Sequence, residues 1–263
     1  MSEFIEKLPK VELHMHIEGS MMPVTLLQLA EKNKVKLPYQ TLEEVEQAYQ
    51  FKDLTEFVNI YLQGTEVIKT AEDFYSLTME YLQKCQRQNI RHTEVFCDVR
   101  TYIEQGLPPE IVLDGIEAGF KEGQKQYDIS GGMIPCFIRH LGVDKAWEDW
   151  QFYKKNTSRF LGIGLAAIEV GFPASMFTEI FAEIHQAGLP VVAHAGEEGS
   201  ADYIWSAIRD IKVDRIDHGI RSLEDPKLVE YLQQTQIPLT VCPCSNTALH
   251  VFKSMEQHVI RQM

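Results

Sequence analysis

Along the chain, short runs of apolar and β-branched residues alternate with longer stretches in which apolar residues recur every three or four positions. The short runs predict strands at 10–16, 92–99, 132–138, 160–168, 189–194, 213–218 and 237–242, and the stretches between them predict helices. Phe177, Ile180, Phe181 and Ile184 mark one helical face, which Gly188 should end before Leu189 and Pro190 lead into the next strand. Leu228, Tyr231 and Leu232 repeat the device. Successive β/α units without a linker rich in Pro, Gly or Ser predict an α/β fold of one domain over 1–263, a TIM-type (β/α)8 barrel. The strand count is one short of eight. Residues 43–90 hold several helical patterns, including FKDLTEFVNIYLQGTEVIKT, expected either to cover the barrel mouth as a lid or to pad one side. Residues 254–263 read as an amphipathic helix through Met255, Val259, Ile260 and Met263 that stops without a C-cap, so the chain is expected to be C-terminally incomplete.

Composition narrows the functions open to such a fold. The 44% hydrophobic and 10% aromatic content suits a globular protein, and 263 residues suit one large α/β unit. A net charge of −13 repels nucleic-acid phosphate and anionic membrane, while a neutral small molecule remains compatible with that field. The N-terminus has no apolar stretch of signal-peptide type and no segment approaches the roughly 18 apolar residues of a membrane helix, so a cytoplasmic protein is expected. Five cysteines, scattered in hydrophobic surroundings, read as reduced thiols rather than a disulfide framework.

Candidate chemistry lies at the strand ends. In KVELHMHIEGS, alternation on a strand sends Glu12, His14 and His16 to one face and Val11, Leu13 and Met15 to the other. Two imidazoles on one face can share a cation; an isolated HxH is equally compatible with strand histidines that are merely hydrogen-bonded. VVAHAGEEG places His194 at the end of the fifth strand and Glu197 in the glycine-bearing turn after it, and RIDHGI places His218 at the end of the sixth. Glu197 reads as a proton carrier aimed at a substrate, against the alternative of a solvated loop acid. His218 reads as a residue that polarises a metal-bound water, with metal ligation as the other role open to it. Asp217 is expected on the opposite face, paired with a basic residue of the helical layer. Cys242 and Cys244 in CPCSN form a C-x-C too short to specify zinc, and His92, His140, His185 and His250 lack comparable partners, although His140 near a strand end could line a pocket.

Taken in order, HMHIEGS, HAGEEG, RIDHGIRSLEDP and PLTVCPCSN resemble the adenosine/adenine deaminase family of metal-dependent barrels nearly end to end. FKDLTEFVNIYLQG, RHTEVFCDVRTY, FIRHL, EVGFP and HAGEEGSADYIW resemble its adenine branch more closely. The resemblance implies metal binding by His14, His16 and His194, proton donation by Glu197 and nucleophile assistance by His218. It implies one zinc or iron(II) ion per chain and hydrolysis of adenine to hypoxanthine and ammonia, a step of purine salvage. A cation there would lower the pKa of water enough to supply hydroxide near neutral pH, and Glu197 would protonate a ring nitrogen as charge builds. The family's last metal ligand, an aspartate, and a second aspartate that contacts the base belong to a segment beyond Met263. Weak metal retention and little turnover are therefore expected of the isolated chain. Ala166, Ala167 and Ile168 replace the Asp-Ser-Ser usual in the adenine branch, and Cys244 a usual leucine, which bears on substrate preference. The readings left beside it are an adenosine deaminase and a purine-binding or interaction protein without turnover. A binuclear amidohydrolase would need a bridging lysine that FLGIGLAAI lacks, and the cytidine-deaminase pattern is absent.

Overall fold

A computed structural model describes residues 3–51 and 54–263. Residues 1–2, in the N-terminal segment, and 52–53, inside the FKDLTEFV stretch, lie outside the described residues. By its internal contacts the chain divides into two compact units, Met1–Met133 and Ile134–Met263.

In the first unit β1 (Lys10–His16) and β2 (Ile90–Cys97) pair in parallel, with His16 opposite Phe96. Register shifts interrupt the ladder on either side of Glu12, so strict alternation fails, and Val11 is exposed. Between the strands, the helical patterns of 43–90 form three helices, Leu42–Ala48, Leu54–Val67 and Ala71–Arg87. Two of them start on capping boxes, Thr41 with Glu44 and Thr70 with Asp73, in which each side chain takes up an otherwise orphaned backbone amide. The helix Glu110–Tyr127 packs on Ala71–Arg87 through Gly115, Gly119 and Gly123, spaced one turn apart. A β-carbon at these positions would meet Phe74, Thr78 and Leu82 at 2.4–2.6 Å, so glycine is what lets the two helices approach.

β3 (Ser130–Ile138) runs through the boundary between the units. In the second unit its end pairs in parallel with β4 (Ile163–Ala166), followed in order by β5 (Val191–Ala195), β6 (Arg215–His218) and β7 (Leu239–Thr240). β4, β5 and β6 are buried along their whole length, and β5 and β6 bury polar residues there, His194, Arg215, Asp217 and His218. The helices Thr178–Gln186 and Pro226–Thr235 form where the apolar spacing predicts them, and Gly188 adopts the left-handed conformation just beyond the first.

Residues 254–263 depart from expectation. Instead of one amphipathic helix they form two 3-10 turns, Met255–Gln257 and Val259–Arg261, separated by His258 in an extended conformation. The cause is a competing set of hydrogen bonds: His258 buries its ring and its Nδ1 accepts the Ile260 amide at 3.1 Å, taking up a donor that a continuous helix would use. No helix among the described residues is long and apolar enough to cross a membrane.

Candidate metal centre and active site

In the first unit, the i, i+2 spacing on β1 brings His14 and His16 together, ring centroids 5.8 Å apart. Phe96 of β2 supports both rings, 5.1 Å from His14 and 5.0 Å from His16. Burial, with the adjacent His14 adding to it, pushes His16 down to about 3, so its imidazole is neutral at neutral pH, the form that donates a lone pair to a cation. Two residues on, Glu18 is buried and its Oε1 accepts the Asp98 amide at 2.9 Å. Burial raises Glu18 to about 8, and the neighbouring Asp98 adds to the shift. Asp98 in turn caps the helix Val99–Glu104 by accepting the Thr101 amide at 3.0 Å. Nothing in the HxH pattern signalled this buried acid pair.

In the second unit, β5 and β6 deliver the remaining candidates. His194 is in register with Asp217, and the two side chains share a side, Nδ1 to Oδ2 3.8 Å. Asp217 therefore does not point to a helical layer; it pairs with Arg215 of its own strand at 3.1 Å and accepts from the Thr240 hydroxyl at 2.7 Å. A regular strand would turn the next residue, His218, away from His194. His218 has a φ of +71°, which swings its ring to 5.3 Å from that of His194. A left-handed histidine at a strand end is an uncommon conformation that concentrates at functional sites. Its Nε2 lies 3.2 Å from Glu197 Oε2.

Glu197 stands on a turn held from outside the motif. The buried carboxylate of Glu169, just beyond β4, accepts four consecutive amides: Gly196 at 2.5 Å on one oxygen, and Glu197, Glu198 and Gly199 at 3.1, 3.0 and 2.9 Å on the other. Four converging N–H groups form a nest for one anion and fix the backbone from which the Glu197 side chain departs. Burial, then the charges of Glu198 and Glu169, raises Glu197 to about 7. Below β5, the guanidinium of fully buried Arg139 donates to the carbonyls of His194 at 2.5 Å and Leu165 at 3.3 Å, tying together the ends of two strands.

Asn246 and His258 complete the second unit's cluster, both buried. The Asn246 amide reaches Glu197 Oε1 at 3.2 Å and His218 Nδ1 at 3.4 Å, and its Oδ1 lies 3.1 Å from His258 Nε2. Glu169, Arg139, Asn246 and His258 escaped the sequence reading. CPCSN drew attention through its cysteines, and His258 sat inside an expected helix. Cys242 is half-buried, its thiol 3.7 Å from the Thr240 carbonyl, and Cys244 is exposed. His92 bonds Ser130 and His185 bonds the Ile211 carbonyl, while His140 packs on Phe172 just after β3.

Parallel strands ending in imidazoles and a proton-holding acid, joined by helices, carry the inventory of a hydrolase of the β/α type. The sequence matches the adenosine deaminase family over residues 9–263. It is 49% identical over 261 residues to an adenine deaminase of Crocosphaera subtropica, covering 99% of this chain and 80% of that protein. It is 44% identical over 263 residues to an adenine deaminase of Bordetella avium, covering all of this chain and 83% of the relative. Among solved structures, the adenine deaminase from Arthrobacter aurescens superposes with a TM-score of 0.93 at 36% identity, over 97% of this chain and 78% of that one. A zinc-containing amidohydrolase from Burkholderia ambifaria, 24% identical, shares the fold with a TM-score of 0.89 over 98% of this chain and 72% of its own. The chain belongs to the adenosine deaminase family and has its fold class, the TIM-type β/α barrel.

Proposed function

We propose that the protein is an adenine deaminase, hydrolysing adenine to hypoxanthine and ammonia in purine salvage within the cytoplasm. The observation that carries the chemistry is Glu197, raised to about 7 and set 3.2 Å from His218. A carboxyl poised near neutrality is present in both forms at working pH, which is what a proton carrier to a ring nitrogen requires. His14, His16 and His194 are assigned as ligands of one divalent cation, zinc or iron(II). The donor chemistry fits: neutral imidazoles suit such ions, and His16 is held in that form. When bound, the ion supplies a water nucleophile at neutral pH and a positive field for the developing charge. The residues do the rest. Glu197 passes its proton to the ring nitrogen, His218 assists the nucleophile, and Glu169 keeps the turn in place throughout.

Adenine deaminases among the relatives, at 44–49% identity over nearly the whole chain, support adenine over adenosine. The test is an ultraviolet assay of the purified chain, supplied with zinc or iron(II), against adenine and adenosine in parallel. Whatever its rate, conversion is expected to favour adenine over adenosine. Preference for adenosine would reassign the substrate, and binding of purine without conversion of either would replace the enzyme with a purine-binding protein.

A further inference from the structure

We propose that Asn246 and His258 are positioning residues that hold His218 in a single neutral tautomer, with its proton on Nε2 facing Glu197. The inference rests on the deaminase reading for its catalytic meaning, and on hydrogen-bond direction alone for its content. The chain of reasoning starts from a group whose polarity is beyond choice. The Ile260 backbone N–H can only donate, and it donates to His258 Nδ1 at 3.1 Å. With Nδ1 accepting, a neutral His258 carries its proton on Nε2. Burial lowers the pKa of His258, which supports the neutral ring.

Nε2–H of His258 then donates to Asn246 Oδ1 at 3.1 Å, and this settles which way the amide faces. Its NH2 group points to the active pair, one hydrogen toward Glu197 Oε1 at 3.2 Å and the other toward His218 Nδ1 at 3.4 Å. An amide NH2 is a donor only, so His218 Nδ1 must be the bare nitrogen. The His218 proton is therefore on Nε2, where it donates to Glu197 Oε2 at 3.2 Å. Every polar atom in the relay has one assignment consistent with its neighbours. Reversing the Asn246 amide would set NH2 against N–H at His258 and leave a carbonyl facing the Glu197 carboxylate, two buried repulsions at once.

The packing holds the relay in place. Asn246 lies on the short helix Pro243–Ala248, where its backbone carbonyl accepts the Phe252 amide at 3.1 Å, and Phe252 packs on the His258 ring with centroids 4.6 Å apart. This accounts for the broken helix at 254–263: the extended residue at 258 is what allows the ring to reach Asn246.

The experiment is long-range proton–nitrogen NMR of the full chain labelled with 15N-histidine at neutral pH, together with steady-state kinetics on adenine. The wild-type spectrum is expected to show His218 with its proton on Nε2. In His258→Leu, which strips the donor from Asn246 Oδ1, both tautomers of His218 should appear and kcat should fall about tenfold with KM nearly unchanged. His258→Gln, whose amide can still donate to Asn246, should keep kcat within about threefold of wild type. A wild-type His218 protonated on Nδ1 overturns the proposal without any variant having to fold. So does a His258→Leu protein with an unchanged tautomer and unchanged kcat. If the wild-type chain converts no adenine, the proposed reaction fails while the ring-nitrogen spectrum still decides the tautomer.

Discussion

In the first unit Glu18 accepts the Asp98 amide and lies beside the Asp98 carboxyl, whereas in the second unit Glu169 receives four consecutive amides. Both acids are buried to the same degree, yet one is driven toward its protonated form and the other accepts four amides around which a turn is built. Burial alone therefore does not assign a role to an acid; the supply of donors does. The histidines divide in the same way. His14 and His16 are two rings side by side on one strand, the His16 ring neutral and suited to donating a lone pair, while His218 is turned by its backbone to within 3.2 Å of the Glu197 carboxyl.

Removing the cation strikes at the first unit's share of that division. Chelation should reduce adenine turnover to background, and zinc or iron(II) should restore it. Full activity in chelator, measured with metal content, would leave His14 and His16 without the task assigned to them. Glu197→Gln probes the second unit's share: kcat should drop by about a thousandfold with little change in KM, since an amide cannot deliver the proton. A loss confined to KM would make Glu197 a binding residue instead.

Glu169→Gln sharpens the comparison, because it replaces an all-acceptor group with one that presents a donor to the nest. A fall in kcat of about 10- to 100-fold is expected. The pH profile carries the more specific signal. With Glu197 as the proposed proton carrier, activity should be lost as pH rises through about 7. Deleting the nearby negative charge of Glu169 eases ionisation of Glu197, so the alkaline limb should move to lower pH. An unmoved limb would show that Glu169 acts on the turn alone.

The smallest effect belongs to Glu18 and is read in stability. Its pKa in the folded protein, about 8, lies above the ordinary carboxylate value, so folding takes up a proton between those limits. The stability associated with Glu18 is fully present below the ordinary value and is lost as pH rises through about 8. Glu18→Gln, which cannot ionise, should flatten the fall in denaturation midpoint over that window while leaving the midpoint near pH 5 almost unchanged. A slope identical to wild type would show that Glu18 is already ionised in the folded chain.

The motifs HMH, HAGEEG and RIDHG were legible because strand-end chemistry leaves a local mark: an apolar run, a polar donor, then glycine. Other parts of the site left none. Glu169 acts on residues 27 to 30 positions away and Asn246 on Glu197 at a separation of 49, so no window of the sequence contains both partners. Asp217 was misplaced for a related reason, since its facing follows from register with β5 and from the turned backbone at His218.

From the sequence by itself came the order of strands and helices, the donor types at the strand ends and the charge that disfavours polyanionic partners, because periodicity and composition are carried by neighbouring residues. Tertiary structure alone decided which acid is driven toward its protonated form, which one anchors the turn that carries Glu197 and which way the His218 ring faces. Those outcomes depend on desolvation and hydrogen-bond direction, and both are set by residues that become neighbours only when the chain folds.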